Sequence, residues 1–286
     1  MESEKNGIAF EVPEADPYEH RLYLSLREPA IRSAIQALQL PLGSHGLDAG
    51  CGIGLITIWL AEAVGSLGHV TGLDSSSEYL LHAKEIGMNS DLSEQVSFRE
   101  GDVNKLPFDD DTFDWVWSAD TIWPGPKEMG CPSEDPLPLI KELSRVVKPG
   151  GRVAILFWSS QQLLPGYPIL EARLNTTSPA TAPLTEGMSP ELHCLRALGW
   201  LRAACLEEPT AHTFVADVHA PLSDDIRSAL TAAFQMFWGE AQLEVTQEDW
   251  AQFQRLCQPE SPDFILNLPD YYAFLTYSLF HGKVAK

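Results

Sequence analysis

The fold of this chain is decided by one short stretch, Leu47-Asp48-Ala49-Gly50-Cys51-Gly52-Ile53-Gly54. It joins a short apolar strand candidate, residues 47–49, to an apolar segment with helical character, residues 55–64. Three of its residues are alternating glycines, which permit a sharp turn and the close approach of a ligand because they lack a Cβ atom. The helix that follows presents unpaired N–H groups and the positive end of its dipole. The stretch therefore predicts a ligand-binding turn between a strand and a helix.

The glycine spacing separates two classes of cofactor. Dinucleotide enzymes use the pattern G-x-G-x-x-G, which holds a pyrophosphate at the start of the helix. Here the third glycine comes one residue early, and Leu55 stands where that pattern needs glycine. Asp48, two positions before the first glycine, would repel a pyrophosphate. The turn therefore favours a ligand with a positive amino group and no phosphate, and a nicotinamide oxidoreductase is the weaker alternative.

Strand and helix signals alternate on the carboxyl-terminal side of this turn. Strands are predicted at residues 69–73, 96–99, 113–117 and 152–158, with helices at 76–86 and 137–147. Such alternation is typical of right-handed crossovers and a mostly parallel sheet. Two further strand-like segments, 201–206 and 213–218, could form an antiparallel hairpin at the sheet edge. The predicted fold class is α/β, a Rossmann-like doubly wound sheet of seven strands, mostly parallel with an antiparallel edge hairpin.

The segments around this core are predicted to be largely helical. Residues 18–40 have helical periodicity, which Pro29 is expected to split into two short helices. Residues 159–190 are rich in Pro, Thr and Ser and are interpreted as an insertion. Helices are predicted at 226–237 and 247–256, followed by a final aromatic helix around 271–280. The prediction is a single domain over 1–286, with cap helices in 1–44, a cofactor-binding core in 45–158, an insertion and edge hairpin in 159–222 and a helical extension in 223–286.

Three acidic motifs accompany the glycine turn in order along the chain. Asp48 precedes the turn, Asp74 ends the second strand in 70–74, and Asp102 follows the third strand in 101–103. Residues 143–152 then supply a helix, a Lys-Pro-Gly-Gly turn and the start of the fifth strand. This set resembles the class I S-adenosylmethionine-dependent methyltransferases. Within that class it is similar to the ubiquinone/menaquinone-biosynthesis (UbiE-like) methyltransferases, over about residues 47–158.

The resemblance implies S-adenosyl-L-methionine as the cofactor and assigns roles to the acids. Asp74 would hold the two ribose hydroxyls, because a carboxylate can accept both O–H bonds. Asp102 would contact the adenine amino group, with the amide of Val103 near the ring, and residues 118–120 would lie beside the methionine portion. The complete set predicted to bind the cofactor is Asp48, Gly50, Cys51, Gly52, Gly54, Asp74, Ser75, Asp102, Val103 and Ser118.

The implied function is methyl transfer to a small-molecule acceptor by in-line displacement. The alternative is a protein that binds S-adenosylmethionine without transferring its methyl group. Substrate contacts are predicted for Tyr18, Tyr23 and Trp123, and core packing is the competing interpretation of each. No catalytic residue can be assigned: His20 and Asp120 are candidate bases, and Asp120 could equally contact the amine of the cofactor. The identity of the acceptor does not follow from the sequence.

Composition excludes several other classes of protein. The chain has 286 residues, with 19 Lys and Arg against 40 Asp and Glu, for a net charge of -21. This charge argues against a partner gripped by its phosphates, so no nucleic-acid partner is expected. The five cysteines are scattered without C-x-x-C pairs, so no metal site is predicted. There is no apolar run of about 20 residues and no signal-peptide layout, so we expect a cytoplasmic protein without a membrane span, either monomer or homodimer.

Overall fold

The computed structural model describes residues 17–185 and 187–285, and in these residues seven strands form one sheet. The strands are β1 (His45–Ala49), β2 (His69–Asp74), β3 (Val96–Glu100), β4 (Phe113–Ala119), β5 (Val147–Gln162), β6 (Glu207–His219) and β7 (Tyr272–Lys283). Their order across the sheet is β3-β2-β1-β4-β5-β7-β6. The first five strands pair in parallel, whereas β7 pairs antiparallel with both β5 and β6. The predicted Rossmann-like sheet with an antiparallel edge hairpin is confirmed.

The described residues form nine α-helices, and four of them begin beside a side chain that caps the first turn. They are α1 (Pro17–Leu38), α2 (Leu55–Val64), α3 (Ser77–Met88), α4 (Pro136–Arg145), α5 (Pro168–Leu174), α6 (Ser178–Thr181), α7 (Ala197–Ala203), α8 (Asp224–Trp238) and α9 (Gln247–Cys257). The side chains of Ser76, Asp135, Ser223 and Thr246 accept hydrogen bonds from backbone amides in the first turns of α3, α4, α8 and α9. These residue types are favoured at this position because they replace the missing partners of the first turn. No helix in the described part of the chain is long and apolar enough to cross a membrane.

Both faces of the sheet are covered by apolar side chains. One core contains Trp117 and Leu156 from the sheet together with Ile31 of α1 and Phe234 of α8. The other contains Phe157 with residues of α4 and α7. A mostly parallel sheet buried on both faces leaves its ligand site at the carboxyl ends of the strands.

Helix α1 is a single helix, so the expected split at Pro29 is wrong. Pro29 lies inside the helix Pro17–Leu38 and is exposed to solvent. Buried residues of the same helix lie on both sides of it, Leu26 before and Ala30 and Ile31 after. A proline removes one backbone hydrogen bond and normally kinks a helix. Here the burial of one continuous apolar face on both sides of the proline outweighs that loss.

The aromatic segment near the end of the chain is a strand and not a helix. It forms β7, which pairs with β5 through Ile155 opposite Phe280 and with β6 through Thr213 opposite Ser278. The prediction failed because nearly every position of 271–280 is apolar, and such a run fits either periodicity. The hairpin partner was also misplaced, since residues 201–206 belong to the end of α7 and the turn after it. The extension 223–286 is therefore helical only before β7.

Candidate functional site

A cavity of about 600 Å³ lies beyond the carboxyl ends of β1, β2, β3 and β4. The segments that follow these strands line it, and α1 covers one side. Its lining consists of residues 50–52, 74–75, 101–104, 119–121 and 130–132 together with Leu24, Arg27, Ile31, Ile56, Tyr79 and Lys127. This is the place where open parallel sheets bind their ligands.

The glycine turn forms the floor of the cavity in a conformation that favours glycine. Gly50, Gly52 and Gly54 have φ values of 84°, 52° and 82°, which L-residues with a side chain rarely adopt. The turn is held against β2, because the N–H groups of Gly50 and Cys51 donate to the carbonyl of Leu73 at 2.7 and 3.0 Å. The N–H of Gly54 donates to the carbonyl of Cys51 at 2.9 Å, so backbone hydrogen bonds fix the turn where it lines the cavity.

Asp74 joins the glycine turn to the start of α3. Its Oδ2 accepts a hydrogen bond from the Gly52 N–H at 2.8 Å, and its Oδ1 accepts one from the Ser76 N–H at 2.9 Å. A carboxylate oxygen can accept two hydrogen bonds, so both oxygens keep acceptor capacity. Asp74 lines the cavity and can offer that capacity to a ligand with hydroxyl groups.

Asp102 is held in a local turn that follows β3 and lines the cavity. Its Oδ1 accepts hydrogen bonds from the backbone N–H and the side-chain Nδ2 of Asn104, at 2.8 and 2.9 Å. Asn104 also donates to the carbonyl of Pro132 at 3.0 Å, which ties the loop after β3 to the loop that precedes α4. The turn presents a carboxylate beside the buried Val103, which suits a flat ring with an amino group.

Asp48 lies beneath the turn and outside the cavity lining. Its side chain is 1% exposed, and its Oδ2 accepts a hydrogen bond from the hydroxyl of Thr57 in α2 at 2.7 Å. Its Oδ1 has no hydrogen-bond partner among the described residues. Burial raises the pKa of Asp48 to about 7; the Thr57 hydrogen bond opposes this shift and the nearby Asp74 adds to it. Asp48 therefore links β1 to α2 by a hydrogen bond and does not face the cavity.

The buried Asp48 predicts a pH dependence of stability. Its pKa is about 7 in the folded chain and about 4 in the unfolded chain, so the folded state holds the proton more tightly. The stabilisation is complete below the unfolded pKa and is lost as the pH rises through the folded one. Relative to Asp48→Asn, the wild type should gain up to ~1.4 kcal/mol of unfolding free energy per pH unit between pH 7 and 5. Urea unfolding of both proteins at pH 5, 6, 7 and 8 measures this difference, and parallel pH profiles would contradict it.

The predicted cofactor residues divide into two groups in the structure. Those that line the cavity are Gly50, Cys51, Gly52, Asp74, Ser75, Asp102 and Val103. The cavity lining does not include Gly54, Asp48 or Ser118. Gly54 precedes α2, and the hydroxyl of Ser118 is fully buried and donates to the carbonyl of Ala49 at 2.7 Å.

The predicted substrate contacts are not part of the cavity lining that the structure describes. Trp123 packs edge-to-face against Phe157, with ring centroids 5.0 Å apart, in the core between the sheet and α4 and α7. Tyr23 packs against the core on the α1 face of the sheet. The side chains of Tyr18 and His20 lie outside the described residues.

A partly buried polar cluster at the cavity wall was not predicted from the sequence. Arg27 of α1 forms an ion pair with Asp120, from Nη1 to Oδ2 at 3.1 Å. The hydroxyl of Tyr277 in β7 donates to the same Asp120 oxygen at 2.6 Å and accepts from Arg27 at 3.0 Å. Asp120 has a φ of 50°, uncommon for a residue with a side chain, and such conformations concentrate at functional sites. The positions stand too far apart in the chain for any local pattern to connect them.

The two cysteines that line the cavity, Cys51 and Cys131, are not activated as thiolates. Burial raises the pKa of Cys131 to about 11, and burial together with Asp48 and Asp74 raises the pKa of Cys51 further. Both thiols are therefore protonated at neutral pH, which disfavours nucleophilic chemistry and soft-metal binding by them. Within the described ranges no group of three or more His, Cys, Asp or Glu side chains could hold a metal ion.

Comparison with known families identifies the part of the chain that builds this cavity. Residues 47–151 match the family model described as a methyltransferase domain. Over these residues the chain is similar to methyltransferase domains. The resemblance inferred from the glycine turn and the acids that follow it is confirmed.

Two curated relatives of this part of the chain are demethylmenaquinone methyltransferases. The protein of Staphylococcus epidermidis is 41% identical over 135 residues, which cover 47% of this chain and 51% of the relative. The protein of Bacillus licheniformis is 37% identical over 129 residues, covering 45% and 51%. The chain therefore spans about half the length of the curated relatives it matches.

Solved structures share the fold of the chain over most of its length. The YcgJ protein of Bacillus subtilis superposes with a TM-score of 0.52 at 16% identity and covers 90% of this chain and 98% of its own. A Bacillus halodurans protein provisionally assigned as a methyltransferase gives 0.51 at 16% identity, covering 89% and 99%. At this identity the similarity concerns the fold alone.

Proposed function

We propose that the chain transfers a methyl group from S-adenosyl-L-methionine to a small-molecule acceptor. One observation carries the proposal. A methyltransferase domain over residues 47–151 builds a cavity lined together by the glycine turn 50–52 and by Asp74 and Asp102. Carboxylates suit a ligand that offers hydroxyl, amino and ammonium hydrogens.

The lining fits the cofactor in its hydrogen-bonding chemistry. An added Cβ at Gly50 would lie 2.1 Å from Oγ1 of Thr121, so glycine allows the turn to pack directly against Thr121, and both residues line the cavity. The acceptor oxygens of Asp74 would bind the ribose hydroxyls, and the Asp102 turn would bind the adenine amino group. Nothing in the glycine spacing or in these acids suits a pyrophosphate, which supports this cofactor over a dinucleotide.

The chain contributes mainly alignment and exclusion of water. When bound, the cofactor supplies a methyl group on a positive sulfur, whose charge disperses as the methyl leaves. Leu24, Ile31 and Ile56 form an apolar part of the wall, which keeps water from the reacting atoms. Fixed orientation of two reactants can lower a barrier by about 7–11 kcal/mol. Asp120 is engaged by Arg27 and Tyr277, so we do not assign it as the base.

The names of the relatives suggest which acceptor to test first. The similar Staphylococcus epidermidis and Bacillus licheniformis proteins are demethylmenaquinone methyltransferases. A reduced quinone is therefore the first candidate acceptor for this chain. The match to the family model ends at residue 151, before the insertion and the helices α8 and α9, which together with α1 would select the acceptor.

Calorimetry with S-adenosylmethionine and S-adenosylhomocysteine tests the proposal. We expect dissociation constants in the micromolar range for both and no heat with NAD or NADP. Formation of S-adenosylhomocysteine with a reduced demethylquinone would establish methyl transfer, whereas binding without it for any acceptor would leave the non-transferring alternative. Absence of binding at ~100 μM cofactor would contradict the proposal.

The domain organisation, the location and the oligomeric state of the chain are also proposals. We infer one domain over 1–286, with the boundaries at residues 44, 158 and 222 taken from the sequence. A cytoplasmic location and a monomer or homodimer are expected on the same basis. Size-exclusion chromatography with light scattering decides between the two oligomeric states.

A further inference from the structure

Helix α1 places one cation in an apolar section of the cavity wall. Leu24 and Ile31, one turn before and one turn after Arg27, also line the cavity. The Arg27 side chain is only 13% exposed. In a chain with a net charge of -21, a guanidinium buried at the ligand site calls for an explanation.

The Asp120 carboxylate does not use all of the donors of Arg27. Its Oδ1 accepts from the backbone N–H of Trp158 at 2.8 Å, and its Oδ2 accepts from Tyr277 at 2.6 Å and from Arg27 Nη1 at 3.1 Å. Two of the three donors to this carboxylate are therefore neutral groups. Asp120 is thus oriented by three elements, and it in turn orients the guanidinium.

The guanidinium of Arg27 has N–H donors that are not used within the described residues. It has five N–H donors. Nε donates to the carbonyl of Tyr23 at 3.1 Å, and Nη1 donates to Asp120 and to Tyr277. Nη2 donates to no acceptor among the described residues, so two N–H bonds of a group in the cavity wall are left for a ligand.

The guanidinium keeps its charge despite its burial. Burial by itself lowers the pKa of Arg27, but the contacts with Tyr277 and Asp120 raise it above its ordinary value. Burial also raises the pKa of Tyr277, which keeps this hydroxyl neutral and able to donate. Arginine is suited to planar recognition of carboxylates because two parallel N–H groups can meet two oxygens.

We propose that Arg27, oriented by Asp120 and Tyr277, is an anion-binding subsite that takes a carboxylate or an ionised hydroxyl of a bound ligand. The inference rests on the proposed function in placing that ligand in the cavity. The anion has two possible sources, the carboxylate of the cofactor or an anionic oxygen of the acceptor. The chemistry at Arg27 is the same for both, and matched pairs of ligands separate them.

The test measures preference for an anion in the wild type and in Arg27→Gln by calorimetry on the full chain. One arm compares S-adenosylhomocysteine with its decarboxylated analogue, which keeps the ammonium. The second compares 2-naphthoate with 2-naphthamide, with and without saturating S-adenosylhomocysteine. Arg21→Gln is the matched control, because Arg21 is an exposed arginine of the same helix and does not line the cavity.

In one of the two arms we expect Arg27→Gln to lose about tenfold or more of the preference for the anionic ligand, with the neutral ligand unaffected. Arg27→Lys should keep part of that preference and Arg21→Gln all of it. The arm that responds identifies the source of the anion. Unchanged preferences in both arms, or equal loss for anionic and neutral ligands, would overturn the proposal.

Two further readouts keep the test decisive. If Arg27→Gln does not fold, the wild type alone decides, because absence of a preference for the anion in both arms also overturns the proposal. Failure of the wild type to bind S-adenosylhomocysteine would count against the proposed function instead. The naphthoate arm without cofactor would still report on Arg27 in that case.

Discussion

Replacing Gly50 by alanine is expected to weaken cofactor binding about 100-fold and to destabilise the fold. An added Cβ would lie 2.1 Å from Thr121 Oγ1 and 2.7 Å from its Cβ, and Gly50 has a φ of 84°. The left-handed conformation costs about 1 kcal/mol for a residue with a side chain, and the steric clash adds ~1–3 kcal/mol. A shift of the turn by about 1 Å would weaken ligand binding about 100-fold. Urea unfolding and calorimetry with S-adenosylmethionine measure the two effects.

Gly166 provides the matched control for this experiment. It has nearly the same φ, 86°, but an added Cβ there would meet nothing within 4 Å. Gly166→Ala should therefore cost only about 1 kcal/mol and leave cofactor affinity unchanged. The double variant Gly50→Ala with Thr121→Ala should recover part of the lost stability, because it removes the two closest contacts. Equal effects of Gly50→Ala and Gly166→Ala would rule out the steric explanation.

The second large effect is expected for Asp74→Ala. This change removes the acceptor of the Gly52 and Ser76 amides and leaves both donors without their partner. Hydrogen bonds to charged groups contribute about 1.5–3 kcal/mol, so we expect a loss of at least about 2 kcal/mol in unfolding free energy. Loss of the carboxylate from the cavity should weaken cofactor binding at least about 100-fold, which calorimetry measures.

Asp74→Asn separates the two roles of this side chain. The amide keeps one oxygen acceptor but loses the charge, so stability should recover more than cofactor affinity does. Asp91→Ala is the control, because Asp91 is an exposed acid on the turn between α3 and β3. It should change stability by less than about 0.5 kcal/mol. Cofactor affinity that survives in Asp74→Ala would refute the assigned role.

The parts of the site that could be predicted from the sequence are those that depend on a short local segment of the chain. The turn 50–54 is recognisable because each glycine meets a local backbone requirement. Asp74 and Asp102 could be added because acids that end parallel strands of one sheet meet at one edge. Strand-end position alone did not distinguish lining residues from buried ones, and Ser118 is turned into the sheet against Ala49.

The pattern of apolar residues in β7 did not indicate that this segment is a strand. The strand lies between β5 and β6, and its residues Tyr277 to Phe280 are buried on both faces of the sheet. A strand covered on both faces loses the alternation that marks a half-buried one. The prediction for helix α1 failed for the opposite reason. Pro29 is a strong local signal for a helix break, but packing of the whole helix outweighed it.

Local sequence was sufficient for the α/β class, the glycine turn and the acids that follow the strands, because each depends on backbone conformation within a few residues. The cluster of Arg27, Asp120 and Tyr277 depends on folding alone. Its members stand 93, 157 and 250 positions apart in pairs, and they meet only when α1, β4 and β7 pack around one end of the sheet. A buried ion pair of this kind has no local pattern, since its partners are selected by the space and charge that the assembled fold leaves at the cavity wall.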